Sequence, residues 1–306
     1  MNKKINRQQL AQFGNLELLA KQVVEGFITG LHKSPLHGFS VEFAEHRLYN
    51  AGESTRHIDW KLYARSEKLF TKKYEEETNL RCQIVIDQSS SMYFPEQGDP
   101  TKFEYAVYAA ASLIELLKRQ RDAVGISFVS DRLDLQTAAK SSTAHHRYLY
   151  GELENKLKQY SPTERKETNT SEALHAIAEL CHRRSLIVIF TDFLEDPSRA
   201  DAFFDALQHM RHNKHEVIVF HVLQKSTELD FQLENRPYEL IDMETGEAMK
   251  LQPAAIREKY VQSVKAYFKE LKLRCTNNGI DFMPCDIDGG MHQMLLSYLL
   301  KRQKLY

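Results

Sequence analysis

The sequence has almost balanced positive and negative charge and no closely spaced cysteines. Its 306 residues include 41 lysines and arginines against 42 aspartates and glutamates, a formal net charge of −1. Nucleic-acid and membrane-surface binders usually carry a strongly basic region, so the composition indicates neither partner. The four cysteines are scattered along the chain. This spacing argues against a zinc or redox motif and suits a reducing compartment.

Long apolar runs are missing as well. The charged start of the chain is not followed by an apolar core, so we expect no secretory signal. The most apolar early stretch, residues 16–31, is interrupted by Glu17, Lys21 and Glu25 and is too polar to span a bilayer. Its apolar residues instead have the spacing of an amphipathic helix. We therefore expect a soluble, cytoplasmic protein.

The remaining composition is that of an ordinary globular protein, with 42% hydrophobic and 27% charged residues. Low-complexity tracts and internal repeats are absent from the sequence. We predict two regions. Residues 1–80 form an N-terminal helical and irregular β-containing extension packed on the main domain, and residues 81–306 form that domain. A β-hairpin insertion is expected near residues 234–252, where Glu-Thr-Gly forms the turn.

From residue 81 onward, strand-like and helix-like patterns alternate, which is typical of an α/β fold with a parallel sheet and crossover helices. The predicted strands are residues 82–87, 123–129, 185–191, 216–223 and 280–285. The predicted helices are residues 101–120, 143–159, 170–183, 198–213, 253–277 and 290–303.

The first of these strands ends in a cluster of oxygen donors. Ile84, Val85 and Ile86 form a short apolar run typical of a buried parallel strand. Asp87, Ser89 and Ser91 follow at alternate positions, at the edge of the sheet where open α/β folds bind their ligands. Mg²⁺ and Mn²⁺ prefer such oxygen ligands. The alternative is structural, because Asp and Ser are also ordinary helix-cap and turn residues.

Two later segments offer similar groups. The strand at 185–191 ends in Thr191 and Asp192, and a polar loop that opens the preceding helix contains Thr168. If the two strands are neighbours in the sheet, both aspartates lie in the same crevice. The sequence therefore predicts one site built from three separate segments.

Asp87, Ser89, Ser91, Thr168 and Asp192 resemble the metal-ion-dependent adhesion site of von Willebrand factor A domains. The resemblance implies a Rossmann-like, doubly wound, mostly parallel sheet with helices on both faces. It also implies that these five residues hold Mg²⁺ or Mn²⁺, and that an Asp or Glu of a partner completes the coordination. One difference is that Lys166 and Glu167 precede Thr168, where those domains usually have two glycines.

A wider resemblance covers residues 35–302. The run from Phe43 to Lys61, which includes Arg-His-Ile-Asp-Trp-Lys, is similar to the signature of the domain-of-unknown-function-58 family. The resemblance implies an adaptor or co-chaperone of a MoxR-type AAA+ ATPase in protein maturation. Two interpretations stay open for one group of residues, either a partner surface or an ion-pair network that pins the N-terminal segment: Arg56, Asp59, Trp60 and Lys61.

The leading functional hypothesis is a non-enzymatic, metal-dependent protein-interaction module. Its main rival is a phosphatase-like hydrolase with Asp87 as the nucleophile, although Ser89 stands where such enzymes need a second acid. The sequence also has no P-loop, Gly-x-Ser-x-Gly elbow or His-Glu-x-x-His motif. The third hypothesis is a scaffold that works without metal.

Overall fold

The computed structural model describes most of the chain, in ranges separated by short gaps: residues 7–32, 46–48, 63–65, 68–72, 80–96, 99–159, 170–193, 200–242 and 246–303. Several residues singled out in the sequence lie outside these ranges, namely Arg56, Asp59, Trp60, Lys61 and Thr168. The two interpretations of the first four residues therefore stay open, and the role of Thr168 stays a prediction.

The chain divides into two compact units. The smaller one, Thr29–Asn79, contains an antiparallel strand pair, β1 (His46–Leu48) and β2 (Phe70–Lys72). The larger one combines Met1–Ile28 with Leu80–Tyr306 and contains the predicted α/β sheet. Packing of the N-terminal extension on the main domain stays a prediction.

The other helices and strands alternate along most of the chain. The helices are α1 (Arg7–Phe13), α2 (Leu16–His32), α3 (Lys102–Arg119), α4 (Thr143–Gln159), α5 (Thr170–Leu180), α6 (Ala200–His212), α7 (Pro253–Asn277) and α8 (Met291–Gln303). The strands are β3 (Arg81–Asp87), β4 (Ala123–Val129), β5 (Leu133–Gln136), β6 (Leu186–Thr191), β7 (Glu216–Leu223), β8 (Tyr238–Ile241), β9 (Ala248–Leu251) and β10 (Asp281–Asp286).

Within the described ranges, the main sheet has six strands in the order β10-β7-β6-β3-β4-β5. Neighbouring strands are parallel except for β5, which runs antiparallel to β4. Every residue of β4 and β6 is buried, as expected of strands covered on both faces. The prediction of an α/β fold with a mostly parallel sheet flanked by helices is confirmed.

The edge strand β5 was not predicted. Its four residues, Leu-Asp-Leu-Gln, are all half-buried, and its pairing with β4 shifts register between Phe128 and Val129. A strand this short has too few residues to show a clear alternating pattern. Its antiparallel direction follows from the short connection to β4, which cannot cross over the sheet.

The core under one face of the sheet is built in register across three strands. Val85 pairs with Ile189, and Ile189 pairs with Val219, so these side chains form one continuous apolar row. Ile177 of α5 and Leu207 of α6 belong to the same buried cluster. Burying each such side chain contributes roughly 2 kcal/mol, so this row fixes the relative positions of β3 and β6.

Helix α3 is buried on all sides. An amphipathic helix usually buries a single apolar stripe, but here every residue from Lys102 to Leu117 is buried. Small side chains on the other faces explain the difference, because alanines at 109–111 let neighbouring elements approach closely. The helix begins with a complete capping box between Thr101 and Glu104. The position of Lys102, its first residue, is therefore well defined.

Strands β8 and β9 pair antiparallel from Tyr238↔Leu251 to Ile241↔Ala248, in the region where a hairpin insertion was expected. Their residues are mostly exposed.

Among the helices of the described residues, none combines the length and the apolar character needed to cross a membrane.

Candidate metal centre

The site lies at the carboxyl ends of β3 and β6, which are neighbours in the sheet. Ile86 pairs with Phe190, so the next residues, Asp87 and Thr191, end their strands side by side. From β3 the sheet continues to β4 on one side and to β6 on the other. Open α/β sheets bind ligands at such a reversal of strand order. The two strand ends therefore lie next to each other, which was the condition for a shared site.

Asp87 is buried, with 1% of its surface exposed. Its Oδ1 accepts a hydrogen bond of 2.8 Å from the Ser89 backbone N–H, and its Oδ2 accepts one of 2.7 Å from the Thr191 hydroxyl. Burial and then the negative charge of Asp192 raise the pKa of Asp87 to about 7, and these hydrogen bonds oppose that shift. Two hydrogen bonds thus hold the Asp87 carboxylate in one orientation, but burial and the charge of Asp192 disfavour its ionised form.

Ser89 and Ser91 point their hydroxyls toward each other. A 3₁₀ turn over Ser90–Tyr93 follows β3, and the two Oγ atoms lie 3.1 Å apart. Ser89 is fully buried, whereas Ser91 is partly exposed. The alternate spacing read from the sequence therefore places two hydroxyl oxygens together, immediately after the Asp87 carboxylate.

Asp192 is held through both its backbone and its side chain. Its carbonyl oxygen accepts a hydrogen bond of 2.8 Å from His221 Nε2, and its Oδ2 accepts one of 2.7 Å from the Lys102 ammonium. Burial lowers the pKa of His221 to about 4, so the imidazole is neutral at pH 7. Asp192 itself has 3% of its surface exposed. The second predicted carboxylate is therefore buried and fixed.

Lys102 and Glu228 belong to this site but were not predicted. The Lys102 ammonium lies 2.7 Å from Asp192 Oδ2 and 2.9 Å from Glu228 Oε1, and the residue has no exposed surface. Burial opposes its charge, but the charges of Asp192 and Glu228 outweigh burial and raise the pKa of Lys102. One signal was available, because a cation in the first turn of a helix opposes the helix dipole and calls for another partner.

The donor set consists of oxygen atoms, which suits a hard divalent cation. Among the described side chains, no group of three or more histidines, cysteines, aspartates or glutamates is arranged to hold a metal ion. A cation at this edge would therefore depend on serine hydroxyls and water in addition to Asp87 and Asp192. A nearby dication would stabilise the ionised form of Asp87 and so oppose the effect of burial on its pKa.

Comparison with curated proteins finds relatives whose own roles are undescribed. Over 184 residues, the chain is 26% identical to the uncharacterized protein Rv1480 of Mycobacterium tuberculosis. The values are the same for the uncharacterized protein Mb1516 of Mycobacterium bovis. These matches cover 60% of this chain and 57% of each relative, so the chain spans little more than half the length of the curated relatives it matches.

The solved structures that are partly similar to this chain include the following two. One is the conserved hypothetical protein BatB from Bacteroides thetaiotaomicron, with 14% identity, a TM-score of 0.44 and coverage of 74% of this chain and 99% of that one. The other is a D319A mutant of the PilB minor pilin from Streptococcus sanguinis, with 9% identity, a TM-score of 0.44 and coverage of 77% and 64%. These scores are too low to support an argument about function.

The family comparison is more extensive. The model described as "Protein of unknown function DUF58" matches residues 45–269, which is most of the chain and includes the edge with Asp87, Lys102 and Asp192. This chain belongs to the DUF58 family.

Proposed function

We propose that this protein is a non-enzymatic, metal-dependent protein-interaction module. The observation that carries the proposal is the meeting of Asp87 and Asp192 at two neighbouring strand ends, with the Ser89 and Ser91 hydroxyls beside them. Four residues predicted from two distant segments lie at one edge of the sheet. A helix cap or turn alone gives no reason for the second acid to be there.

A divalent cation, Mg²⁺ or Mn²⁺, would be held by Asp87, Ser89, Ser91 and Asp192, directly or through water. When bound, it would supply a Lewis-acidic position that a carboxylate of a partner protein can fill. Thr168, the fifth predicted ligand, lies just before the described start of α5 at Thr170. Its participation is part of the proposal.

The surroundings of Asp87 favour binding over hydrolysis. A nucleophilic carboxylate needs a reactive oxygen directed at the substrate. Here both oxygens accept hydrogen bonds, from Ser89 and Thr191, inside a buried edge. Ser89 also occupies the position at which the rival phosphatase would have its second acid. These contacts thus argue against Asp87 as a nucleophile.

We further propose that the larger unit is a von Willebrand factor A-like domain and that its partner is a MoxR-type AAA+ ATPase, a client protein, or both. The order Asp87, Ser89, Ser91 and Asp192 along a mostly parallel sheet supports the first part. Membership of the DUF58 family supports the second, through the resemblance described above. In this role the protein acts as an adaptor or co-chaperone in protein maturation.

Capture of a purified MoxR-type ATPase from the same genome tests this function. The variant is Asp87→Asn, which keeps the shape of the side chain and removes its charge. The matched control is Asp201→Asn, because Asp201 is an exposed acid on α6 that pairs with Arg274. All proteins are assayed with Mg²⁺ present, since the ATPase itself requires it.

We expect wild type and Asp201→Asn to capture the ATPase and Asp87→Asn to lose capture. Equal capture by Asp87→Asn would indicate a scaffold that works without metal. Release of phosphate from a generic phosphate ester by wild type, lost in Asp87→Asn, would indicate the hydrolase instead.

A further inference from the structure

Lys102 is an unusual residue to find at a candidate metal centre. A lysine without exposed surface is rare, because an unpaired ammonium is expensive to remove from water. Here two carboxylates compensate for the burial, Asp192 at 2.7 Å and Glu228 at 2.9 Å. The ammonium therefore touches the same Asp192 carboxylate that the proposed metal would use.

The position of Lys102 is fixed by the fold and not by local preference. It is the first residue of α3, where the partial positive charge of the helix end repels a cation. The capping box between Thr101 and Glu104 nevertheless holds the helix start in place, with Thr101 Oγ1 accepting from the Glu104 N–H. The contacts that offset this repulsion come from residues 90 and 126 positions away.

Glu228 is equally well anchored. It lies in the short π-helical turn Lys225–Leu229, and its side chain accepts a hydrogen bond from the Gln224 N–H. Its backbone carbonyl accepts one of 3.1 Å from the Tyr260 hydroxyl of α7. Lys102 thus connects the end of β6, through Asp192, to a turn that is tied to α7.

We propose that Lys102 is the resident counter-cation of this site, which neutralises Asp192 without metal and competes with a metal ion for that carboxylate. The inference rests on the proposed metal-binding function. With a metal bound, Asp192 would serve the cation, and Glu228 would remain as the carboxylate partner of the ammonium. Lys102 therefore limits metal affinity and links metal binding to the Lys225–Leu229 turn.

Whether Mn²⁺ binds more tightly or more weakly after Lys102 is replaced tests this competition. Lys102→Met removes the charge and keeps a long, flexible side chain. If Lys102 competes with the metal, the variant binds Mn²⁺ about tenfold more tightly, because a positive charge near the ion is gone. If Lys102 only positions Asp192, the variant binds more weakly. Isothermal titration calorimetry with Mn²⁺ measures the dissociation constant.

The matched control is Lys118→Met. Lys118 lies on the same helix and also pairs with two carboxylates, Glu17 at 2.8 Å and Glu115 at 3.4 Å. Those acids are not part of the candidate centre, so its Mn²⁺ affinity should equal that of wild type. A matching change in both lysine variants would overturn the inference.

A second variant keeps the test usable if Lys102→Met does not fold. Glu228→Gln leaves the Lys102–Asp192 pair intact, but the ammonium then has no second carboxylate to retain. Its Mn²⁺ binding should be several-fold weaker than wild type, while the exposed control Glu234→Gln should be unchanged. Affinity at or above that of wild type in Glu228→Gln contradicts the inference.

The outcomes separate the two proposals. If wild type binds Mn²⁺ and Lys102→Met binds no more tightly, the role of Lys102 is wrong and the metal centre stands. If only Lys102→Met binds, the competition is supported and metal dependence of the wild-type protein is wrong. If no variant binds, both proposals are wrong.

Discussion

Replacing Asp87 with asparagine should stabilise the metal-free protein at neutral and alkaline pH. The buried carboxylate is disfavoured when ionised, because burial and the charge of Asp192 raise its pKa from 3.8 to about 7. Asparagine is neutral and has nearly the same shape. Its oxygen can accept from the Ser89 N–H, and its amide group can donate to the Thr191 hydroxyl. The substitution therefore removes the unfavourable charge and retains both contacts.

The size of the effect follows from the shift in pKa. Between about pH 4 and pH 7 the unfolded chain releases the Asp87 proton and the folded protein keeps it, so the wild-type protein loses stability as the pH rises through this window. One pKa unit corresponds to about 1.4 kcal/mol. The gain from Asp87→Asn is therefore near zero at pH 4 and reaches about 4 kcal/mol above pH 7.

Urea unfolding in EDTA, at several pH values between 4.5 and 8, measures this gain. Asp201→Asn is the control, because an exposed ion pair contributes less than about 1 kcal/mol and should show no such pH dependence. Adding Mg²⁺ should then stabilise wild type and leave Asp87→Asn unchanged. A loss of stability in metal-free Asp87→Asn at pH 8, or a gain that is equally large at pH 4.5, would show that the buried charge of Asp87 does not destabilise the folded protein.

Two further predictions concern the framework of the site. Gly125→Ala should cost about 2–3 kcal/mol by thermal or urea unfolding, because its Cβ would lie 2.5 Å from Gln83 Oε1 and 2.6 Å from the Thr137 carbonyl. His221→Gln should gain stability relative to wild type as the pH falls from 6.5 to 4, by up to about 3 kcal/mol, because the buried imidazole resists the proton that the unfolded chain accepts.

Each of these has its own check. Gly151→Ala, on α4, meets no atom within 4 Å and should stabilise by about 1 kcal/mol. A Gly125→Ala protein as stable as wild type would mean that β4 has more room than the contacts with Gln83 and Thr137 allow. A pH-independent difference between His221→Gln and wild type would show that His221 takes up its proton normally in the folded protein.

Much of the sheet and most of the residues placed at the site follow from local sequence. Short apolar runs such as Ile84–Ile86 predict buried parallel strands, and an acid after such a run lies at the ligand-binding edge. Asp87 and Asp192 could therefore be placed at that edge before any coordinates. The prediction required β3 and β6 to be neighbours in the sheet. The strand pairing shows that they are.

The rest of the site depends on contacts that no local pattern shows. Lys102 meets Asp192 across 90 residues and Glu228 across 126 residues. Its position in the sequence looks like an ordinary helix start. The one unusual feature is its positive charge, which is unfavourable at the positive end of the helix dipole. Similarly, β5 has four half-buried residues, and its pairing is determined by its neighbour β4. Tertiary packing determines both the contacts of Lys102 and the pairing of β5.

A crystal of the wild-type protein grown with Mn²⁺, measured for anomalous scattering from manganese, tests the metal centre most directly. We expect a single manganese peak at the carboxyl ends of β3 and β6, bound directly or through water by Asp87, Ser89, Ser91 and Asp192. We also expect Lys102 to contact Glu228 and no longer Asp192. A well-ordered crystal with no manganese at this edge, or with manganese bound only elsewhere, would show that these residues do not form a metal centre.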